Sequence, residues 1–179
     1  PREFGEYALN GQIARPLAGG KLAFTAQANY SRYADESELL TTSPAGAQIE
    51  NELIPYAESN RVGEAGLTFQ RVIGRWDMEI AALATRKQHH DRVSLTRLDA
   101  TNTFGSVFTQ RREHDSGETI LRGTFARPLG PGRLEIGAEA ALNTLDGASE
   151  RTFDFGAGPF PIPLQNANLR VKENRGEAF

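Results

Sequence analysis

Residues 118–146 read ETILRGTFARPL, then Gly130-Pro131-Gly132, then RLEIGAEAALNTLD. On the second arm Leu134, Ile136, Ala138, Ala140 and Leu142 take the even positions, while Arg133, Glu135, Gly137, Glu139, Ala141 and Asn143 take the odd ones. Side chains alternate between the two faces of a strand, so one face is wholly apolar and the other carries charge, amide and small residues. The first arm does the same less cleanly, with Leu121, Gly123 and Phe125 opposed to Glu118, Arg122 and Thr124. Leu129-Gly130-Pro131-Gly132 supplies the breakers that close the reversal. The stretch predicts a long amphipathic β-hairpin with a tight turn.

The same unit recurs along the chain. Ala126-Arg127-Pro128-Leu129-Gly130-Pro131-Gly132-Arg133-Leu134 matches Ala14-Arg15-Pro16-Leu17-Ala18-Gly19-Gly20-Lys21-Leu22 almost position for position, and Gln70-Arg71-Val72-Ile73-Gly74-Arg75-Trp76 is a degenerate copy. The three turns fall about 56 residues apart, near the range of repeat architectures. Each repeat reads as one hairpin and one long connection, which predicts a meander rather than a solenoid.

Working outward, Tyr7, Leu9, Gly11 and Ile13 alternate with Glu6, Asn10 and Gln12. Leu22, Phe24, Ala26, Ala28 and Tyr30 then oppose Lys21, Thr25, Gln27, Asn29 and Ser31. Ala65, Leu67 and Phe69 oppose Glu64, Thr68 and Gln70. Past Gly74, Trp76, Met78, Ile80, Ala82 and Ala84 oppose Asp77, Glu79 and Thr85. Between these runs the alternation lapses, at about 35–60, 86–115 and 147–168, and those segments are expected to be long loops. RVSLTRL and SVFTQRR, inside the second, read equally as strand extensions. The tail from Leu169 to Phe179 begins a seventh strand. Helical periodicity is nearly absent.

The 179 residues suffice for one domain or part of a larger one. A net charge of −3 without a Lys/Arg stripe argues against nucleic acid. No cysteine is present, so disulfides and thiolate metal sites are excluded. No apolar run approaches the roughly 18 residues of a transmembrane helix. Pro1-Arg2-Glu3-Phe4 carries no leader pattern and reads as an arbitrary cut, so a fragment is expected.

Two architectures produce such strands. A soluble β-sandwich turns its apolar face inward, and a membrane barrel turns it outward to lipid. Three features favour the membrane. Trp76 to Arg86 matches the roughly 9–11 tilted residues that cross a bilayer. Connections alternate short and long, as periplasmic turns and extracellular loops do. Phe24, Phe69, Trp76 and Phe125 lie near the short turns, and Tyr7, Tyr30 and Tyr33 near the other ends, like two interfacial girdles. The expectation is an all-β, antiparallel up-and-down meander of about seven long strands, residues 1–179 forming part of a transmembrane β-barrel.

With GTFARPLGPGRLEIGAEAALN and the closing LRVKENRGEAF in view, the chain resembles a middle piece of the β-barrel of a TonB-dependent outer-membrane receptor. The resemblance implies a barrel of about 22 strands occluded by an N-terminal plug. It also implies a place in the bacterial outer membrane and import of a scarce small-molecule ligand of the siderophore, cofactor or saccharide class. The partners would be the lipid bilayer and, through parts this chain does not contain, the TonB complex. Neither a plug nor a TonB box is in the sequence, and no ligand-binding residue is carried over. Glu173, Arg175 and Glu177 share the parity of Phe179, unlike an outer-membrane terminal strand. The competing expectation is a soluble or surface-exposed β-sandwich that binds or adheres.

Chemistry-bearing residues are sparse. His89-His90-Asp91, at the top of a strand, suggests a contact with a metal-bearing ligand, but adjacent residues point to opposite faces, and a solvated loop is the plainer reading; His114-Asp115 is the same case. Glu135, Glu139, Glu79 and Asp77 read either as paired carboxylates for acid–base work or as a wet wall with cross-strand partners such as Arg122. Gly156-Ala157-Gly158 is interrupted by Pro159 and lacks a flanking βαβ unit. The run Phe153-Asp154-Phe155-Gly156-Ala157-Gly158-Pro159-Phe160-Pro161-Ile162-Pro163 reads as a ligand-contacting or a self-packed loop. Trp76 reads as a girdle residue before a ligand platform. No catalytic residue, cofactor or metal is expected, nor enzymatic activity.

Overall fold

The computed structural model describes residues 2–179. They form one antiparallel sheet and no helix: β1 (Arg2–Leu17), β2 (Gly20–Thr42), β3 (Gln48–Ile73), β4 (Trp76–Asp99), β5 (Phe104–Leu129), β6 (Gly132–Asp154), the two-residue β7 (Phe160–Pro161) and β8 (Asn168–Ala178). Each strand pairs with the next as far as β6, which takes β7 near the end away from its short turn and β8 closer to that turn. The meander is therefore as expected. The sheet is open, with β1 and β8 at its edges.

The three short turns lie at one end, closed by Leu17↔Gly20, Ile73↔Trp76 and Leu129↔Gly132. Ala18 and Gly19 both have positive φ, 51° and 73°, as a type I′ hairpin turn requires. Gly74 and Gly130 enter their turns at φ 64° and 58°, a conformation other residues adopt at a cost. The segments around Pro44, Asn102 and Pro159 lie at the opposite end, as the alternation of connections predicts.

Strand length departs from expectation. The segments 35–60 and 86–115, predicted as loops, are mostly strand: only 43–47 and 100–103 connect β2 to β3 and β4 to β5, and RVSLTRL and SVFTQRR are strand extensions, as one of their two readings had it. The third connection is also shorter than predicted, since β6 runs to Asp154 and β8 starts at Asn168. Alternation lapses in these segments because polar side chains occupy both faces, whereas strand pairing needs only the backbone ladder. Pro55 helped to disguise β3 as a loop. It still pairs with Glu36 on β2, but on its other side the ladder to β4 skips from Leu53↔Thr96 to Tyr56↔Val93. A residue without an N–H is tolerated in an interior strand through that gap.

The register carries the apolar positions of neighbouring strands onto one face. Ile13 lies across from Phe24, Phe24 from Leu67, Leu67 from Ala82, Ala82 from Leu121 and Leu121 from Ala140. This face is the open one: Leu9 is 75% exposed, Leu121 56% and Ile136 47%. On β3, β5 and β6 the opposite, polar face is the more crowded one, whereas on β2 Lys21, Thr25, Gln27 and Asn29 of that face are exposed. Ala126 and Ala141 on it are buried, whereas Ala138 and Ala140, on the apolar face of the same strand as Ala141, are exposed. No large side chain among the described residues is fully buried, so the sheet has no apolar core of its own.

Candidate functional site

Beyond the apolar band, on the side away from the short turns, the polar face of β3, β4 and β5 gathers a continuous hydrogen-bonded cluster. Strand alternation places Tyr56, Glu58 and Asn60 on this face of β3, His89 and Asp91 on β4, and Arg112 and His114 on β5. Glu58 lies across from Asp91, and Asp91 from Arg112. His89 lies across from both Asn60 and His114.

The Tyr56 hydroxyl donates to Glu58 Oε2 at 2.8 Å, and Asn60 Nδ2 donates to Glu58 Oε1 at 2.8 Å. Asn60 Oδ1, which can only accept, faces His89 Nδ1 at 2.6 Å, so that nitrogen carries the proton. His89 stands between two carboxylates, with Nε2 3.4 Å from Asp91 and Nδ1 3.6 Å from Glu58. Asp91 is only 3% exposed. Arg112 Nε donates to both of its oxygens, at 3.1 and 3.0 Å. Burial, and then the bond to Glu58, push the Tyr56 phenol up to about 12. The bonds from Tyr56 and then Asn60 hold the Glu58 carboxyl below its usual range.

This face offers fixed donors, acceptors and charges to a polar molecule. No group of three or more His, Asp or Glu that could hold a metal ion occurs among the described residues.

The predicted site residues separate as follows. His89, His90, Asp91, His114 and Asp115 are on strands, not in a solvated loop. His89 and His90 do point to opposite faces; His90 Nε2 lies 3.7 Å from Asp115 on the apolar-face side. Glu139 is held between Arg122 at 3.9 Å and Arg175 at 2.9 Å, the cross-strand pairing expected of a wet wall. Glu79 accepts from Gln70 at 2.7 Å, and Glu135 lies 3.9 Å from Arg133. With Asp77, Lys21 and Thr124 they line a cavity of about 550 Å³ at the turn end of the same face.

Trp76 has the Arg127 guanidinium 4.8 Å from its ring, next to the turn end of the apolar band. The third connection packs on itself. Phe153 lies 4.5 Å from Phe155, 6.2 Å from Phe160 and 6.4 Å from Phe108. Asp154 Oδ1 accepts from the N–H groups of Gly156 and Gly158 at 2.7 and 3.0 Å, both glycines having positive φ.

Tyr56, Glu58, Asn60 and Arg112 are not legible as site residues in the sequence because they lie in 35–60 and 86–115, where apolar alternation lapses. Their trace was present, since Tyr56, Glu58 and Asn60 recur at the two-residue spacing of one strand face, as do His89 and Asp91.

No protein-family model matches the chain, and no curated protein is similar to it.

Proposed function

We propose that the chain is a segment of an outer-membrane β-barrel, and that the barrel belongs to a TonB-dependent receptor importing a scarce small molecule. The observation that carries the barrel reading is the inversion of the sheet. Its apolar face is open, and on β3, β5 and β6 its polar face is the more crowded of the two, the arrangement expected where lipid lies outside and an aqueous lumen inside. Aromatic and basic residues border the apolar face at both ends, with Tyr7, Tyr30 and Arg61 above and Trp76 and Arg127 below. Such borders suit the two interfaces of a bilayer.

Receptor function is supported by strand length and by the resemblance of the repeated hairpins. β3 and β5 have 26 residues each, far beyond the roughly 9–11 that cross a bilayer. From Thr85 to Asp99, β4 runs on for about 50 Å past the apolar band, at ~3.4 Å per residue. That extension carries the Tyr56–Arg112 cluster, where a ligand entering from outside would meet it. A β-sandwich would need a second sheet over the apolar face, and all the described strands lie in one sheet.

The test is the lipid requirement of the full-length protein. Unfolded in urea and diluted, it should regain strand circular dichroism and heat-modifiable gel migration in detergent or phosphatidylcholine vesicles and not in buffer. Recovery of a monomeric fold in buffer alone would overturn the barrel, and the transport function with it.

A further inference from the structure

The chain holds 23 acidic and 20 basic side chains, yet one part of its polar face shows mainly bases to water. In the pair Arg112–Asp91 the arginine side chain is 56% exposed and the aspartate 2%; in Arg97–Glu52 the values are 55% and 14%. On the opposite face the acids stay open, Glu113 beside Arg111 at 43% and Asp146 beside Arg170 at 51%. The imbalance is greatest on β5 and β6. Gln110, Arg112 and His114 lie across the ladder from Arg151, Ser149 and Gly147. On this face no carboxylate stands from Ser106 to Ser116 or from Asn143 to Phe153. The other face of the same two stretches carries Glu113, Asp115, Asp146 and Glu150.

Both arginines of the patch are fixed through Nε alone. Arg112 donates from it to the two Asp91 oxygens, and Arg151 to Gln110 Oε1 at 3.0 Å. Their terminal N–H groups have no hydrogen-bond partner among the described residues, and Arg151 has no carboxylate within 4.0 Å. Gln110, which anchors Arg151, stands two residues from Arg112 on the same strand face, about 7 Å along the strand. Gly147 and Ser149 leave the sheet low beside them, since a Cβ built on Gly147 meets nothing closer than 3.9 Å. Arg112 with Asp91 makes a dipole whose positive end faces the solvent, and Arg151 adds a charge that nothing nearby cancels. A planar guanidinium held at Nε keeps its other N–H groups for the oxygens of an incoming acid.

We propose that this patch of β5 and β6 binds an oxyanion of the imported molecule, with Arg112 and Arg151 as its charged contacts and Asp91 and Gln110 holding them in position. The proposal rests on the receptor reading for its ligand and goes beyond it in fixing the ligand's charge. The chain's net charge of −3 points the other way, because it counts covered acids equally with the bases that reach water.

Cysteine is absent from the chain, so a single introduced thiol reports the local potential in the full-length protein, any cysteine elsewhere being replaced. Ser149→Cys and Ala148→Cys place that thiol on the polar and the opposite face, one residue apart. Each is treated with the anionic sulfonatoethyl and the cationic trimethylammonium methanethiosulfonate reagents at low ionic strength. Each rate is divided by that of the same reagent with free mercaptoethanol. Ser149→Cys should favour the anionic reagent by at least about threefold, and Ala148→Cys should not. Adding Arg112→Gln/Arg151→Gln should erase the preference, whereas Arg111→Gln/Arg170→Gln, which removes the same charge from the opposite face, should keep it. Millimolar succinate or inorganic phosphate should slow a neutral methyl reagent at Ser149→Cys at least about twofold and leave Ala148→Cys unchanged. Whichever acts more strongly tells a carboxylate from a phosphate.

No anionic preference at Ser149→Cys, or one that survives Arg112→Gln/Arg151→Gln, overturns the patch. Loss of the preference in both double variants means a diffuse field and does the same. A thiol at 149 that no reagent reaches overturns it too, since no solute could then reach the arginines. A preference that neither succinate nor phosphate accompanies with protection leaves a potential without a binding site and sinks the proposal. If Arg112→Gln strands Asp91 and the protein does not fold, Arg151→Gln alone decides, and it must at least halve the preference. Heat-modifiable migration is recorded on every sample. A folded, detergent-dependent protein without anion preference sinks only the patch, whereas a protein indifferent to detergent sinks the barrel reading as well.

Discussion

Glu139 stands directly across the β5–β6 ladder from Arg122, its Oε2 3.9 Å from Arg122 Nη1, while its chain neighbour Ala138 faces the other way and is exposed. One residue of displacement along β6 thus exchanges a charged, shielded environment for an open apolar one. Ala138→Arg should cost about 2–4 kcal/mol, the penalty of a cation at mid-bilayer depth on the lipid side of a barrel. Glu139→Gln should cost about 1 kcal/mol or less, since the amide still accepts a hydrogen bond and a watery lumen screens Arg122 and Arg175. Urea unfolding of the full-length protein in vesicles compares the two. Equal losses would mean that both faces meet the same medium.

Enlarging the apolar side chain separates lipid from a packed core. Ala138→Leu adds hydrocarbon to a face that is already open. Lipid should accept it with a stability change of roughly 0.5 kcal/mol or less, whereas a close-packed sandwich core should lose roughly 1–3 kcal/mol to overpacking. The same unfolding assay reads the difference.

What could be read in the sequence was whatever creates a difference between faces. Leu134 to Leu142 announced a strand, its register and its apolar side, because each even position is apolar and each odd one is charged or small. Gly19, Gly74 and Gly130 announced the turns through the backbone conformations they permit. The marks are fainter in Glu50–Asn60 and Lys87–Gln110, where polar residues occur on both faces, and only RVSLTRL and SVFTQRR within them pointed to strand. The Tyr56–Glu58–Asn60–His89–Asp91–Arg112 cluster is assembled by register across three strands, and register is a property of pairing, invisible in any one segment. The Phe153–Phe155–Phe160 contact was legible as one of two readings, since clustered aromatics pack together whenever a loop lets them meet.

Topology can be tested in cells. Residues 43–47, 100–103 and 155–159 lie at the end of the sheet opposite the turns at Gly19, Gly74 and Gly130. In an outer-membrane barrel the short turns face the periplasm. Epitope tags inserted after Ala45 or Gly158 of the full-length protein should be labelled by antibody on intact cells. A tag after Gly19 should be labelled only once the outer membrane is permeabilised. Labelling of the Gly19 tag on intact cells would reverse the orientation and remove the cluster around Glu58 from the ligand's path.

The Tyr56–Glu58 bond should leave a trace at both ends of the pH scale. Tyr56 is held at about 12 in the folded protein, above the ordinary value of 10.0. Its stabilising contribution is complete below pH 10 and lost as pH rises through about 12. Glu58 is shifted the other way, so its contribution is present above the ordinary value of 4.5 and lost as pH falls through the depressed folded value. Phenolate absorbance of the full-length protein near 295 nm should show a final step near pH 12. Tyr56→Phe should remove that final step. It should also take away the larger of the two bonds that depress Glu58, so the acid limb of stability moves to higher pH. At neutral pH the variant should lose about 0.5–1.5 kcal/mol, the worth of one hydrogen bond of this kind. Tyr33→Phe is the control, because no side-chain hydrogen bond joins Tyr33 to Glu58 and its loss should leave the acid limb in place. If Tyr56→Phe leaves both limbs unchanged, the bond is absent in solution, and Glu58 is free to meet a ligand without first giving up a partner.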